Sequence, residues 1–226
     1  MARTRSAGYD DQRETILARA AERFAQRGYA STSMNNVAEA CGFSKPTLYH
    51  YYRDKYDLLV NIAEDHVTRL AEVVREVEAE GLPAEARLRQ FILRFVGEYA
   101  GAQNAHRVLT EDVRFLNPQD QDRVLGHERE VVAGFARAIG EMRPAMRQAR
   151  LTKPLTMLLF GMINWMFTWL EPDGELDYGA MAPIVADLFF GGVHNVQAAG
   201  SKTPGSRAAL LGAPDAPSFS HDGDTR

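Results

Sequence analysis

Between Ser44 and Lys55 the chain reads SKPTLYHYYRDK, placing three tyrosines, one histidine and three cations in a single run just behind a glycine. Hydroxyl, imidazole and ammonium groups at that density suit an anionic, acceptor-rich surface such as a nucleic-acid backbone, and Lys45 and Thr47 are of the types that reach base edges. Bond-making chemistry has no comparable set. The sequence holds no G-x-S-x-G elbow, no glycine-rich phosphate loop and no H-E-x-x-H, and its six histidines (50, 66, 106, 127, 194, 221) never stand four apart. Cys41 falls on the apolar side of its segment and reads as packing, not as a nucleophile. No catalytic residue, cofactor or metal is expected.

The elements that must position this run are helical. From Asp11, apolar residues recur at Ile16, Leu17, Ala20, Ala21, Phe24 and Ala25, the spacing of a one-sided helix, and Gly28 ends it. Ser31, Thr32 and Ser33 can cap a short second helix with Met34, Val37, Ala38 and Cys41 on one face, closed by Gly42. Ser44 can cap a third, with Pro46 in its first turn, where the missing N–H has no intrahelical partner to lose. Two short helices joined through a glycine, the second presenting polar groups from its first turn, predict a helix-turn-helix.

A long helix is predicted from Asp54 to the stop at Gly81-Leu82-Pro83. Further helices are expected near 84–101, 103–115, 118–141, 152–170 and 177–196, with breaks at Asn117-Pro118, around Arg143-Pro144 and at Glu171-Pro172-Asp173-Gly174. No segment alternates as a strand would, so the fold class is all-α. The expected division is a DNA-binding head at 10–56, a helical effector-binding and dimerisation domain at 57–196 and a disordered tail at 197–226, where Gly, Ala, Ser, Pro and Asp replace periodicity.

Charge supports a division of labour. The net charge is −4, yet residues 1–56 hold nine Lys/Arg against six Asp/Glu, leaving 17 against 24 in the remainder. Affinity for polyanions belongs at the N-terminal end. A single cysteine fits a reducing compartment, and the absence of a long apolar run argues against membrane spanning, so a cytoplasmic location is expected.

The run TSMNNVAEACGFSKPTLYHYYRDKYDLL strongly resembles the DNA-binding signature of the TetR family of bacterial repressors, over about residues 13–60. Carried over by position, the resemblance implies that Ser33 and Asn35 meet backbone and bases. It puts Ser44, Lys45, Pro46 and Thr47 at the start of the recognition helix, the last three on base edges, and Tyr49, His50, Tyr51 and Lys55 on phosphates. It further implies a homodimer on a palindromic double-stranded operator, the last two helices forming a four-helix interface, and a small-molecule effector held among the C-terminal helices.

Two apolar stripes fit that interface, one of Leu155, Leu158, Leu159, Met162, Met166 and Trp169, the other of Ile184, Val185, Leu188, Phe189 and Gly192; burial inside one chain is the alternative for each. The segments from Phe160 to Gly174 and from Asp187 to Gly192 resemble the family's acyl-CoA-responsive regulators of fatty-acid, aromatic-acid or sterol breakdown. Asn164 and Trp165 place an amide and an indole N–H in an oily helix, where a ligand or neighbouring backbone must partner them. With Phe95, Tyr99, Arg107 and Trp169 they form the expected ligand site for a small hydrophobic effector such as an acyl-CoA: Phe91, Phe95 and Tyr99 share one helix face and His106, Arg107 and Arg114 lie on the next helix, an apolar tunnel with cations at its mouth. The rivals are a repressor of the same fold that senses hydrophobic drugs and controls efflux, and a helical-bundle enzyme or ligand carrier without DNA binding.

Overall fold

A computed structural model describes residues 7–170 and 176–197. The expected break at Glu171–Gly174 and the expected tail beyond Gln197 lie outside the described residues. Within them the chain is helical throughout, with no strand.

The head begins with α1 (Ala7–Arg27), whose stripe of Ile16, Ala20, Ala21 and Phe24 is buried. Thr32, itself buried, donates its hydroxyl to the carbonyl of Gly28 across 3.0 Å and so fixes the approach to α2 (Met34–Cys41). Ser33 starts α2 with a reciprocal cap: its hydroxyl accepts from the Asn36 amide (3.3 Å), while Asn36 Oδ1 accepts from the Ser33 amide (2.9 Å). Gly42 ends α2 at φ 68°, a left-handed conformation in which a side chain would be strained. The Ser44 hydroxyl then caps α3 (Lys45–Tyr51) by accepting from the Thr47 amide at 3.3 Å.

The long helix α4 (Lys55–Ala79) is capped by Asp54 and leads into α5 (Ala84–Gly101) and α6 (Gln103–Asp112). A 3-10 turn, Val113–Phe115, follows where the sequence predicted continued α-helix. Then come α7 (Pro118–Met142), capped by Asn117, a five-residue α8 (Pro144–Gln148), α9 (Thr152–Asn164) and α10 (Tyr178–Val193). The Arg143-Pro144 break thus contains a helix, because a proline that cannot continue α7 is suited to open a new one. Helix α9 stops at Asn164, not near 170; the Thr168 hydroxyl returns to the Trp165 carbonyl (2.7 Å) and the chain tightens into a 3-10 turn at Met166–Thr168.

Two apolar cores organise these helices. One joins α1–α3 and the first half of α4, up to Val67, to Val108, Leu109, Leu116 and Val124. The other runs from Leu70 of α4 through α5, α7, α9 and α10. The head therefore shares its core with α6 and the start of α7, and α4 passes from one core to the other between Val67 and Leu70. Where α7 crosses α4 the backbones come close: a Cβ on Gly134 would lie 2.5 Å from Val74 Cγ1.

Candidate nucleic-acid interface and effector cavity

The α3 surface follows from one inward residue. Leu48 is completely buried, worth about 2 kcal/mol of transfer free energy, and its insertion turns Lys45, Pro46, Thr47, Tyr49 and His50 outward together. Ser44 and Thr47 share a 2.7 Å hydroxyl contact, and the Lys45 ammonium stands 5.9 Å from the centre of the Tyr49 ring. Ser33 and Asn35 are exposed at the start of α2, the Ser33 hydroxyl being engaged in its cap.

Two residues of the predicted set have other partners. Tyr51 is half-buried, stacks on Tyr9 of α1 with centroids 4.8 Å apart and donates its hydroxyl to Gln12. The Lys55 ammonium donates to the carbonyls of Tyr29 (2.8 Å) and Ala30 (3.2 Å) and lies 4.4 Å from the Tyr29 ring centre. It ties the loop between α1 and α2 to the first turn of α4. Sequence alone could not separate this use of a lysine from a phosphate contact.

The effector-domain residues divide differently. Asn164 and Tyr99 come together, the Tyr99 hydroxyl donating to Asn164 Oδ1 at 2.9 Å, and both line a cavity of about 140 Å³. Its wall comprises Val67 and Leu70 of α4, His106 and Leu109 of α6, Glu128, Val131 and Val132 of α7, and Met157 and Phe160 of α9. Phe95 is not on that wall; it is fully buried one layer behind, against Phe135 and Phe160. Arg107 is exposed and paired with Glu111, facing away from the buried His106 beside it.

Trp165 and Trp169 do not line that cavity. They are 65% and 53% exposed and line a groove of about 260 Å³ with Met162, Met181, Ile184 and Leu188, on the outer side of α9 and α10. The end of α9 at Asn164 separates the two neighbours, Asn164 facing the cavity and Trp165 the surface.

Sequence reasoning named Tyr99, His106 and Asn164 but missed Glu128 and the buried His66 that pairs with His106 behind the wall. His66 Nε2 and His106 Nδ1 are 3.2 Å apart, and the Tyr99 ring stacks on His106 with centroids 3.9 Å apart. Burial holds both imidazoles far below the ordinary histidine value, at about 4 for His66 and about 3 for His106, the latter also disfavoured by its neighbour His66. Burial raises the Glu128 carboxyl, Arg129 opposing, and Glu128 makes no hydrogen bond or ion pair among the described residues. A signal existed: Val124, Glu128, Val131, Phe135 and Ala138 fall at i, i+4, i+7, i+11, i+14, which sets a carboxylate in phase with the apolar stripe of α7.

A second, open groove of about 450 Å³ between α7 and α9 is lined by Leu125, Arg129, Ala133, Ala136 and Lys153, and meets the cavity at Glu128, Val132 and Met157.

A helix-turn-helix head with a solvent-facing polar helix, sharing its core with a helical domain that encloses a cavity, defines a DNA-binding protein of the helix-turn-helix class. Residues 16–62 match the family described as bacterial regulatory proteins, tetR family, and residues 81–193 match the tetracyclin repressor-like C-terminal domain. A TetR-family transcriptional regulator from Bordetella parapertussis is 34% identical, with 82% of this chain and 97% of that one covered and a TM-score of 0.76. The chain belongs to the TetR family of DNA-binding transcriptional regulators. The fatty acid metabolism regulator protein of Bacillus subtilis is 23% identical over 187 residues, 80% of this chain and 94% of that one. The fold is also that of AibR, solved in complex with isovaleryl coenzyme A and operator DNA (22% identity, 78% and 97% covered, TM-score 0.67). Among the described residues no helix is long and apolar enough to cross a membrane.

Proposed function

We propose that the protein is a homodimeric repressor that binds a palindromic operator through the exposed face of α3 and is released by an acyl-CoA thioester held in the C-terminal domain. The observation that carries the reading is the position of the cavity. Val67 belongs to the head core and Leu70 to the other, and both face the cavity, as do His106 and Leu109 of the helix that packs on α1. A guest there touches the parts that set the attitude of the head, which is what differential binding to two conformations needs.

The adjoining groove supports the effector class. Arg129 and Lys153 stand on it without an ion-pair partner among the described residues, suited to the phosphates of a coenzyme A head while the acyl group enters the apolar cavity. The relatives named for fatty acid metabolism and for isovaleryl coenzyme A point the same way. Homodimerisation is supported by the exposed Leu158, Trp165, Trp169, Ile184 and Leu188, an apolar face too large for a helix pair with nothing against it.

Glu128 favours a second reading, a sensor of hydrophobic cations, because a desolvated carboxylate without a partner attracts positive charge; Arg129 and Lys153 beside it oppose that. The test is a mobility shift on the DNA upstream of the protein's own gene, with acyl-CoAs, free CoA and hydrophobic cations such as ethidium added in turn. Release by acyl-CoA alone supports the first reading. Release by the cation alone establishes the second, and no shift at all removes the DNA-binding assignment.

A further inference from the structure

Resting on the acyl-thioester reading, we infer that the effector's buried end is short and uncharged: an acyl group of about five to eight non-hydrogen atoms, admitted as its thioester and refused as its free acid, with Glu128 as the residue that refuses it.

Size gives the first half. A dry cavity of about 150 Å³ holds a guest the size of benzene. The 140 Å³ here, open on its groove side, therefore matches a branched four- or five-carbon acyl chain or a benzoyl ring, and a dodecanoyl chain does not fit within it and would have to lie partly in the groove. The walls resist enlargement from two sides. Tyr99 is held by Asn164 and stacked on His106, and Phe160 packs against Phe95 and Phe135, all within a filled core.

Charge gives the second half. Glu128 lines both the cavity and the open groove, so a ligand spanning the two passes its carboxylate. Among the described residues that carboxylate has no hydrogen bond or ion pair to neutralise it, and its charge bears on Tyr99 across the cavity. A second carboxylate in such a place forces one of the pair to take up a proton, which disfavours binding at neutral pH. A thioester carbonyl carries no charge and meets no such opposition, and the Asn164 side-chain amide on the same cavity wall, its Oδ1 held by Tyr99, keeps its N–H groups to offer a guest. Arg129 and Lys153 line the groove, where the phosphates of coenzyme A would be, but not the cavity; the Arg129 charge offsets that of Glu128 in part without forming an ion pair with it.

The experiment measures direct binding by calorimetry at pH 7.5 to the full chain and to Glu128→Gln. The probes are 3-methylbutanoic acid, its primary amide, its CoA thioester, dodecanoyl-CoA and free CoA. The parent is expected to bind the 3-methylbutanoyl thioester at least tenfold more tightly than free CoA or dodecanoyl-CoA, and the amide at least tenfold more tightly than the acid. Glu128→Gln is isosteric and should bring acid and amide within about threefold by strengthening the acid. Equal binding of the dodecanoyl and short thioesters overturns the size limit. An acid-to-amide gap that persists unchanged in Glu128→Gln overturns the role of Glu128. Should neither thioester bind while the gap is present and closes in the variant, the acyl-CoA reading fails and the exclusion of acids by Glu128 stands.

Discussion

Tyr56 donates its phenolic hydrogen to Asp120 Oδ2 across 2.6 Å, and its oxygen accepts from the Asn117 amide at 2.9 Å, joining the first turn of α4 to the first turn of α7. Tyr56→Phe removes both bonds at once and should cost about 1–2 kcal/mol in urea unfolding at pH 7. The cost should shrink in acid. The Tyr56 hydroxyl is the main cause that holds the Asp120 carboxyl below its ordinary value, so the stabilisation is present above the unfolded-state value and lost as pH falls through the folded one. Unfolding at pH 7 and pH 3 tests this; a constant difference between parent and variant would mean that the Asp120 charge is not the relevant partner.

The buried pair His66–His106 gives a different pH dependence. Their folded values, about 4 and about 3, lie below the unfolded value near 6.5, so the unfolded chain binds more protons between those limits. Stability should be fully present above about pH 6.5 and should fall below it, by up to about 1.4 kcal/mol per pH unit for each histidine, until the folded values are reached. Denaturant unfolding between pH 7.5 and 5 measures the slope. The double variant His66→Gln, His106→Gln should be flatter over that interval, and a parent that is already flat contradicts the burial of neutral imidazoles.

On α3, Lys45→Ala should relax sequence preference by about 1–3 kcal/mol at one operator position, whereas Tyr49→Phe should weaken binding to all DNA alike. Competition binding against operator and random duplexes separates the two. Equal losses on both duplexes for both variants would remove the division between base and phosphate contacts.

Lys55→Met should destabilise the head as well as weaken DNA binding, because its ammonium holds the carbonyls of Tyr29 and Ala30. Hydrogen exchange in the loop between α1 and α2 should speed up in the free protein. If exchange is unchanged and only the salt dependence of DNA binding falls, by about one unit of slope, the lysine acts on phosphate alone.

Leu188 is 65% exposed on the apolar groove that also contains Trp165. Leu188→Glu should yield a monomer by light scattering and abolish tight operator binding, and Trp165→Ala should loosen the dimer while leaving effector affinity near that of the parent. A monomeric Leu188→Glu that binds operator normally would place the interface elsewhere.

The head was legible because its signals are local. The Ser33 and Ser44 caps, the left-handed Gly42 and the Pro46 first turn act within a few residues of themselves, and each helix end they predict is present. The far end of α9 was not legible, because an apolar stripe read at a constant helical phase carries past Asn164 and turns Trp165 and Trp169 inward, whereas the chain changes pitch there. Burial against a second copy and burial within one chain demand the same residue types, so the sequence left both open for Leu158 and Leu188, which the chain itself leaves exposed. The cavity was only partly legible for a third reason: its wall draws one to three residues from each of five helices, so that Tyr99 and Asn164 could be named in advance but not the neighbours they meet.

The close approach of Gly134 to Val74 gives α4 a second attachment to α7, beyond that of Tyr56 to Asp120. The cavity-lining residues of both helices, Val67 and Leu70 on one and Glu128 and Val131 on the other, fall between these attachments. A beam pinned at both ends does not swing; it bows slightly and passes the load sideways. With Phe160 of α9 held in the filled core, the wall left to shift as a unit is α6, and since α6 lies against α1, the thrust of a guest is expected to reach the DNA-binding head through its flank and not along the length of the long helix.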